Sequence, residues 1–256
     1  IYGAIKNLNS IRALSNLITL ELNGWANLSP ISALSNLSSL TLKDNHEDLE
    51  PISNLTNLTS LKLIKNHANL TPISSLKNLA YLEIHENEKS LRPIRSLKKL
   101  TSLFLYGNHA DLSPISSLKN LKSLYIYDNH VNLSPINNLI NLTLLDLTAN
   151  HESLNPINTL PKLTSLDLWG NEAGLKPISN LTNLTSLNLK YNDADLSPIN
   201  NLTNLTYLDL QLNFEDLNPI SSLKNLTFLN LDDNIKNLEP ISVLVKLTTL
   251  NLSNNI

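Results

Sequence analysis

The chain has 256 residues, of which 60 are Leu and 40 Asn, and its 19 Lys+Arg stand against 22 Asp+Glu for a formal charge of −3. So near a balance gives no bulk attraction to nucleic acid. With no Cys and 5 Gly, a disulfide scaffold, a thiolate metal site, a cysteine nucleophile and a glycine-dense phosphate loop are excluded. No apolar run approaches the roughly 18 residues of a membrane span, and no basic-plus-apolar leader opens the sequence, so no membrane insertion is expected in this segment.

Taken in chain order, Ile1 to Ala4 align with Leu105 to Asn108, and Ile5-Lys6-Asn7-Leu8 recurs at Ile235-Lys236-Asn237-Leu238. The chain thus opens inside one repeat, and it stops inside another at Ile256. One residue is missing between Leu22 and Leu28, so Ile11 and Ile31 are 20 residues apart, and Trp25 in that short turn is expected to pack over the gap. From Pro30 the phase holds: Pro51, Pro72, Pro93, Pro114, Pro135, Pro156, Pro177, Pro198, Pro219 and Pro240 follow at intervals of 21, each succeeded by Ile. An Asn series keeps step from Asn45, Asn66, Asn87 and Asn108 to Asn255. Such fixed self-similarity marks a repeat architecture. No linker interrupts it, so residues 1–256 read as a single domain of about 12 repeats of 21 residues, expected to be part of a longer array.

Within each unit, Leu-x-Leu sends two apolar side chains to one face of a strand and the residue between them to the other. Strands are predicted around Glu21, Thr41, Lys62, Glu83, Phe104, Tyr125, Asp146, Asp167, Asn188, Asp209, Asn230 and Asn251. Ser, Thr or Asn before the proline, as at Thr71, Ser113 and Asn155, predicts a helix N-cap with Pro at the first helical position. Ile115, Leu118 and Leu121 then point inward at helical spacing. A coil of this kind buries its leucines only against its neighbours, which makes the product a parallel-stranded solenoid.

The pattern Leu-x-x-Leu-x-Leu-x-x-Asn, seen at Leu121, Leu124, Ile126 and Asn129, resembles a leucine-rich repeat. The ending Leu-x-Pro-Ile at Leu112, Pro114 and Ile115 is similar to that of bacterial internalins and of phosphatase-regulator short repeats, although the turn after the Asn is one residue shorter than the usual internalin unit. The resemblance implies an α/β, right-handed leucine-rich-repeat solenoid with a parallel β-sheet on the concave face and short helical or 3-10 turns on the convex face. It also implies a bacterial surface or secreted protein that engages a protein partner on the concave sheet, with an intracellular (cytoplasmic) regulatory or scaffold subunit as the alternative. A structural spacer or designed array is a third reading, because the spacing is unusually strict.

The Asn series reads as fold grammar: the amide carries donors and an acceptor that suit backbone groups left free where the strand turns. The second Asn set, at Asn57, Asn120, Asn183 and Asn204, reads the same way on the outer curve. Triplets such as those at Asn36, Asn54, Asn141, Asn180 and Asn225 match a glycosylation acceptor, but they are also the repeat consensus, and the consensus reading is preferred.

Function is expected on the open face of the sheet, where most outward positions are small or polar, such as Ser39, Thr41 and Lys43. Of the 12 aromatics, eight stand in these columns: Tyr81, Phe104, Tyr106, Tyr125, Tyr127, Trp169, Tyr207 and Phe228. The expected partner-binding residues are Tyr81, His85, Phe104, Tyr106, Tyr125, Tyr127, Asp146, Asp167 and Trp169, because aromatic side chains anchor binding hot spots. The competing reading is cross-strand stacking that merely stabilises the sheet. The acidic column of Asp146, Asp167 and Asp209 suits either a solvated face or a basic partner rim. His46, His67, His109, His130 and His151 each follow a series Asn; stacked imidazoles can bind a transition metal or sense pH. Glu88, Glu172 and Asp193 occupy the same column and no carboxylate evidently supports the rings, so a turn preference is expected and no metal or cofactor is assigned. Ser102, His85 and Glu83 form a hydrolytic set only on paper, since an open face builds no oxyanion hole, and no catalytic residue is assigned.

Overall fold

The computed structural model describes residues 7–24, 27–86, 88–128, 130–233 and 237–255. The alignment of Ile1 to Lys6, the packing of Trp25, the series members Asn87 and Asn129, and Ile235 and Lys236 lie outside the described residues. The chain divides into two compact units, Ile1–Tyr125 and Ile126–Ile256. The first contains β1 (Thr19–Asn23), β2 (Ser39–Lys43), β3 (Ser60–Ile64), β4 (Tyr81–His85) and β5 (Ser102–Tyr106). The second contains β7 (Leu144–Asp146), β8 (Ser165–Asp167), β9 (Ser186–Asn188), β10 (Tyr207–Asp209), β11 (Phe228–Asn230) and β12 (Thr249–Asn251), and β6 (Ser123–Tyr127) runs through the division. Strand order is chain order, and in each unit the paired strands are parallel. Among the described residues no helix is long and apolar enough to cross a membrane.

Each strand pairs like with like. In the first unit Leu40 registers with Leu61, Leu61 with Leu82 and Leu82 with Leu103; in the second Leu166, Leu187, Leu208 and Leu229 do the same. Leu20 meets Leu40, a step of 20 residues where the others step by 21, so the short turn after Leu22 is absorbed without a register slip. In that turn Gly24 has a φ of 90°, against the 50–56° found at the same position in later non-glycine residues such as Asp44, Lys65 and Leu212. The inward Leu and Ile are fully buried, from Ile31 and Leu34 in one unit to Leu229 and Leu231 in the other.

The return between strands is a five-residue 3-10 helix, for example Ser113–Ser117, with proline at its second residue. The expected cap is displaced. The N-cap position is Leu112, and no side chain caps there. Instead the residue before that leucine reaches forward: Asp111 Oδ1 accepts the backbone N–H of Ser113 at 2.9 Å and its hydroxyl at 2.7 Å. Asn69 serves Thr71 and Asp195 serves Ser197 identically, while Ser153 stands in at 3.3 Å for Asn155. This is an Asx turn ahead of the helix, and it needs the acceptor two residues before the amide. The backbone N–H and then the hydroxyl of Ser113 hold the carboxyl of Asp111 below its usual range.

The strands shorten from five residues in the first unit to three in the second for a reason visible in the central column. Asp146, Asp167, Asn188, Asp209 and Asn230 each accept the backbone N–H two residues on, at 3.0, 2.9, 3.0, 2.9 and 3.1 Å. That bond curls the chain out of the extended conformation, so the strand ends on the residue expected at its centre. Thr41, Lys62 and Glu83 make no such bond, and their strands run on to Lys43, Ile64 and His85.

The Asn series behaves as read. Asn192 is fully buried, donates to the carbonyl of Asn171 at 3.0 Å and accepts the N–H of Ala194 at 3.0 Å; Asn213 repeats the pattern one coil on, donating to the carbonyl of Asn192. The outer set is a second ladder: the amides of Asn57, Asn120, Asn183 and Asn204 donate to carbonyls of the preceding coil at 2.8–2.9 Å. The triplet residues Asn36 and Asn225 use their Nδ2 atoms in the same way. Asn192→Ala strands buried polar groups and should cost about 1–3 kcal/mol, whereas Asn204→Ala, at an exposed site that water re-solvates, should cost under about 1 kcal/mol. Urea unfolding of the two variants measures the difference, and equal midpoints would contradict it.

Candidate protein-binding face

On the first unit the outward side chains of β3 to β5 and of Tyr125 form one connected cluster with Glu83 at its hub. Tyr81 donates its hydroxyl to Glu83, Lys62 Nζ lies 3.0 Å from Glu83 Oε2, and His85 Nε2 lies 2.7 Å from Oε1. Only 14% of the Glu83 side chain is exposed. Burial pushes its carboxyl up, but the bonds from Tyr81, Lys62 and His85 together outweigh it, and the acid is held below its ordinary value. The phenol of Tyr81 moves the other way: burial, the bond to Glu83 and that residue's charge all disfavour the phenolate and push it well up.

Around this hub the rings stack across strands. Tyr81 tilts against Phe104 at 5.1 Å between centroids, Phe104 lies flat on Tyr125 at 3.9 Å and 7°, and His85 stacks on Tyr106 at 5.2 Å. Lys62 Nζ sits 5.5 Å over the ring of Tyr81. Despite the stacking, Tyr106 remains 50% exposed. The structure therefore brings together five of the expected residues, Tyr81, His85, Phe104, Tyr106 and Tyr125. It registers Ser102 against Tyr81 and His85 against Tyr106, so strand pairing does not align the serine with the imidazole.

The second unit has its own arrangement. Tyr127 donates to Asp146 Oδ2 at 2.9 Å while Thr148 bonds the other oxygen through N–H and hydroxyl, leaving Asp146 only 8% exposed. Asp167 accepts from the Trp169 N–H and from Asn188 Nδ2 at 2.9 Å each. Trp169, 45% exposed, faces Tyr191, 53% exposed, at 6.5 Å, with Lys190 Nζ 5.6 and 5.5 Å from their ring centres. Tyr207 stacks on Phe228 at 4.4 Å. The acidic column is thus engaged in turn closure and inter-coil bonds. Burial raises the carboxyl of Asp167 against the pull of its two donors, and the charges of Asp146 and Asp209 add to the rise.

Several participants escaped sequence reasoning. Lys62 and Glu83 are opposite charges 21 residues apart in one column, a signal that was there to read. Tyr191 was not, because it occupies the left-handed turn position before the series Asn (φ 54°), outside the alternating columns, where Gly170 stands one coil earlier. Among the described residues His46 stacks on His67 at 4.3 Å and His130 on His151 at 4.6 Å. The expectation that no carboxylate supports them is corrected: Asp128 lies 3.3 Å from His130 and Glu172 lies 3.1 Å from His151, both contributed by turn positions.

Two measurements follow from the titrating groups. A folded-state carboxyl raised above its unfolded value stays charged only at a cost, which is fully present above the folded pKa and disappears as pH falls below the unfolded value. Asp167→Asn keeps the acceptor for the Trp169 amide, as Asn188 does in the next coil, but gives up the bond from Asn188 Nδ2, so relative to wild type it should melt a few degrees higher at pH 7 than it does in acid. That relative gain should vanish below about pH 3; an offset from wild type that is the same at both pH values would refute the assignment. In an ultraviolet titration Tyr81 should ionise well above the ordinary value of about 10, and Glu83→Gln should bring it back toward that value.

No family model matches the sequence, and no curated protein matches it either. Solved structures do. An internalin, InlF, from Listeria monocytogenes superposes with a TM-score of 0.75 at 28% identity, over 99% of this chain and 85% of that one. A plant peptide hormone receptor, RGFR1 in complex with RGF2, gives 0.67 at 25% identity over 94% of this chain and 44% of the receptor. The Arabidopsis receptor kinase HAESA, in complex with the peptide hormone IDA and the co-receptor SERK1, gives 0.68 at 25% over 94% and 46%. This chain spans less than half of either plant receptor. Parallel strands in chain order, short 3-10 returns and a Leu/Asn ladder of period 21 make this a leucine-rich-repeat solenoid, similar to the internalins.

Proposed function

We propose that the chain is a non-enzymatic protein-binding module that grips its partner on the open sheet face. The observation that carries this is the stacked run Tyr81–Phe104–Tyr125 beside the half-exposed Tyr106, on a face whose outward positions are elsewhere mostly small or polar. Pre-stacked rings lose little rotamer freedom when a partner covers them, which is what an anchor requires. His85 joins this patch through Tyr106. On the second unit Tyr127 and Trp169 supply further contact area, and Asp146 and Asp167 supply negative potential suited to a basic rim. The two plant receptors that share the fold are each in complex with a peptide hormone, which supports a polypeptide partner. The likeness to an internalin supports a secreted or surface role in a bacterium. The 12 repeats of residues 1–256 act as one binding domain.

Replacing Phe104, Tyr106, Tyr125 and Tyr127 by Ser removes several ring contacts of about 0.5–1.5 kcal/mol each, so the variant should melt a few degrees lower and remain folded. Immobilised wild-type chain should retain a specific protein from surface-labelled animal cells that the fourfold variant does not. Equal retention by a folded variant would remove the proposal.

A further inference from the structure

We propose that Asp128, His130 and His151 form a binding site for a divalent first-row transition metal of the zinc type, at the turn edge of the second unit. Among the described residues this is the only group of three His, Asp or Glu side chains whose ligand atoms converge, all lying within 4.8 Å of one another. Two imidazoles and one carboxylate are the donor set of zinc, nickel or copper rather than of calcium or magnesium, which take oxygen. Three protein ligands with a fourth position left to water is also the count of an open zinc site.

The geometry is part-way assembled. Donors on a tetrahedral zinc, each about 2.0–2.2 Å from the ion, stand roughly 3.3 Å apart, and His130 Nε2 already lies 3.3 Å from Asp128 Oδ1. Asp128 is fixed by its backbone, in the left-handed turn conformation at φ 52° with its N–H on the carbonyl of Thr148 at 3.1 Å. His151 follows the fully buried Asn150, whose amide is bonded to the carbonyl of Glu152 at 2.7 Å, so its backbone is anchored too. The rings of His130 and His151 are parallel within 4° at 4.6 Å, and both must tilt toward the ion; their exposure leaves χ rotation open for that movement.

The independent sign is Glu172, one coil further on, with Oε2 3.1 Å from His151 Nδ1. A carboxylate on Nδ1 places the proton there and turns Nε2 out as the lone-pair donor, which is the arrangement that orients and strengthens metal-bound histidines. The stacked pair His46 and His67 on the first unit belongs to no such converging group of three and serves as the internal control.

Isothermal titration of the full chain with zinc chloride tests the site. One zinc should bind per chain, with no heat from calcium. His130→Ala and His151→Ala should each weaken binding more than tenfold, Asp128→Asn and Glu172→Gln by about tenfold or more, and His46→Ala/His67→Ala not at all. Circular dichroism confirms that these exposed substitutions leave the fold intact. Absence of zinc heat from the wild-type chain, undiminished binding by His130→Ala/His151→Ala, or loss of binding in the His46/His67 control would each overturn the proposal.

Discussion

A leucine in this chain is dry only because a neighbouring coil lies against it. One repeat is too thin to enclose its own apolar face, so stability is nearest-neighbour in character, and the hydrogen bonds that join coils run at the same step of one repeat. The hydrogen bonds obey that rule at three depths. The strands pair residue for residue, the buried Asn ladder links Asn192 to Asn171 and Asn213 to Asn192, and the outer ladder links Asn57 to Ser35 and Asn204 to Thr182. Leucine supplies the burial, and asparagine removes the cost of burying a turn whose amides and carbonyls have no helix or sheet to satisfy them.

Much of this is legible in the bare sequence because a solenoid turns tertiary contact into periodicity. Leu40 and Leu61 are neighbours in space for the same reason that they are 21 apart in the chain. The 20-residue step at Leu20 and Leu40 was equally visible. What the period hides is bonding inside one repeat. Ser113 and Asp111 both look like helix caps by composition, and only the geometry of a 3-10 turn that begins beside Leu112 decides that Asp111 does the capping. The length of a strand is hidden similarly: Asp146 and Lys62 occupy the same column, yet one bonds the amide two residues ahead and the other cannot.

The face carries two kinds of acid. Glu83 and Asp167 are both partly withdrawn from water, and their carboxyls shift in opposite directions. Glu83 gathers a phenol, an ammonium and an imidazole, which together exceed the desolvation it suffers. Asp167 has a backbone amide and an Asn side chain, and the flanking Asp146 and Asp209 add to its burden. The aromatic positions were found from the sequence because they break a background of small residues; the polar hub that sets their orientation was missed, although Lys62 and Glu83 are opposite charges one repeat apart in a single column. Stacking and exposure coexist on this patch, so rings that stabilise the sheet still present a contact surface.

The side-chain bond that ends the second unit's strands has a further consequence. Where the central residue must accept an amide, only Asp, Asn and the few residues that mimic them are admissible, and the column is closed to variation without rebuilding the turn. The first unit's strands carry Thr41, Lys62, Glu83, Phe104 and Tyr125 there, chemistries with nothing in common, because no backbone group waits on them. One stretch of the array can therefore change its central column without rebuilding a turn, and the other is tied there to its own scaffold.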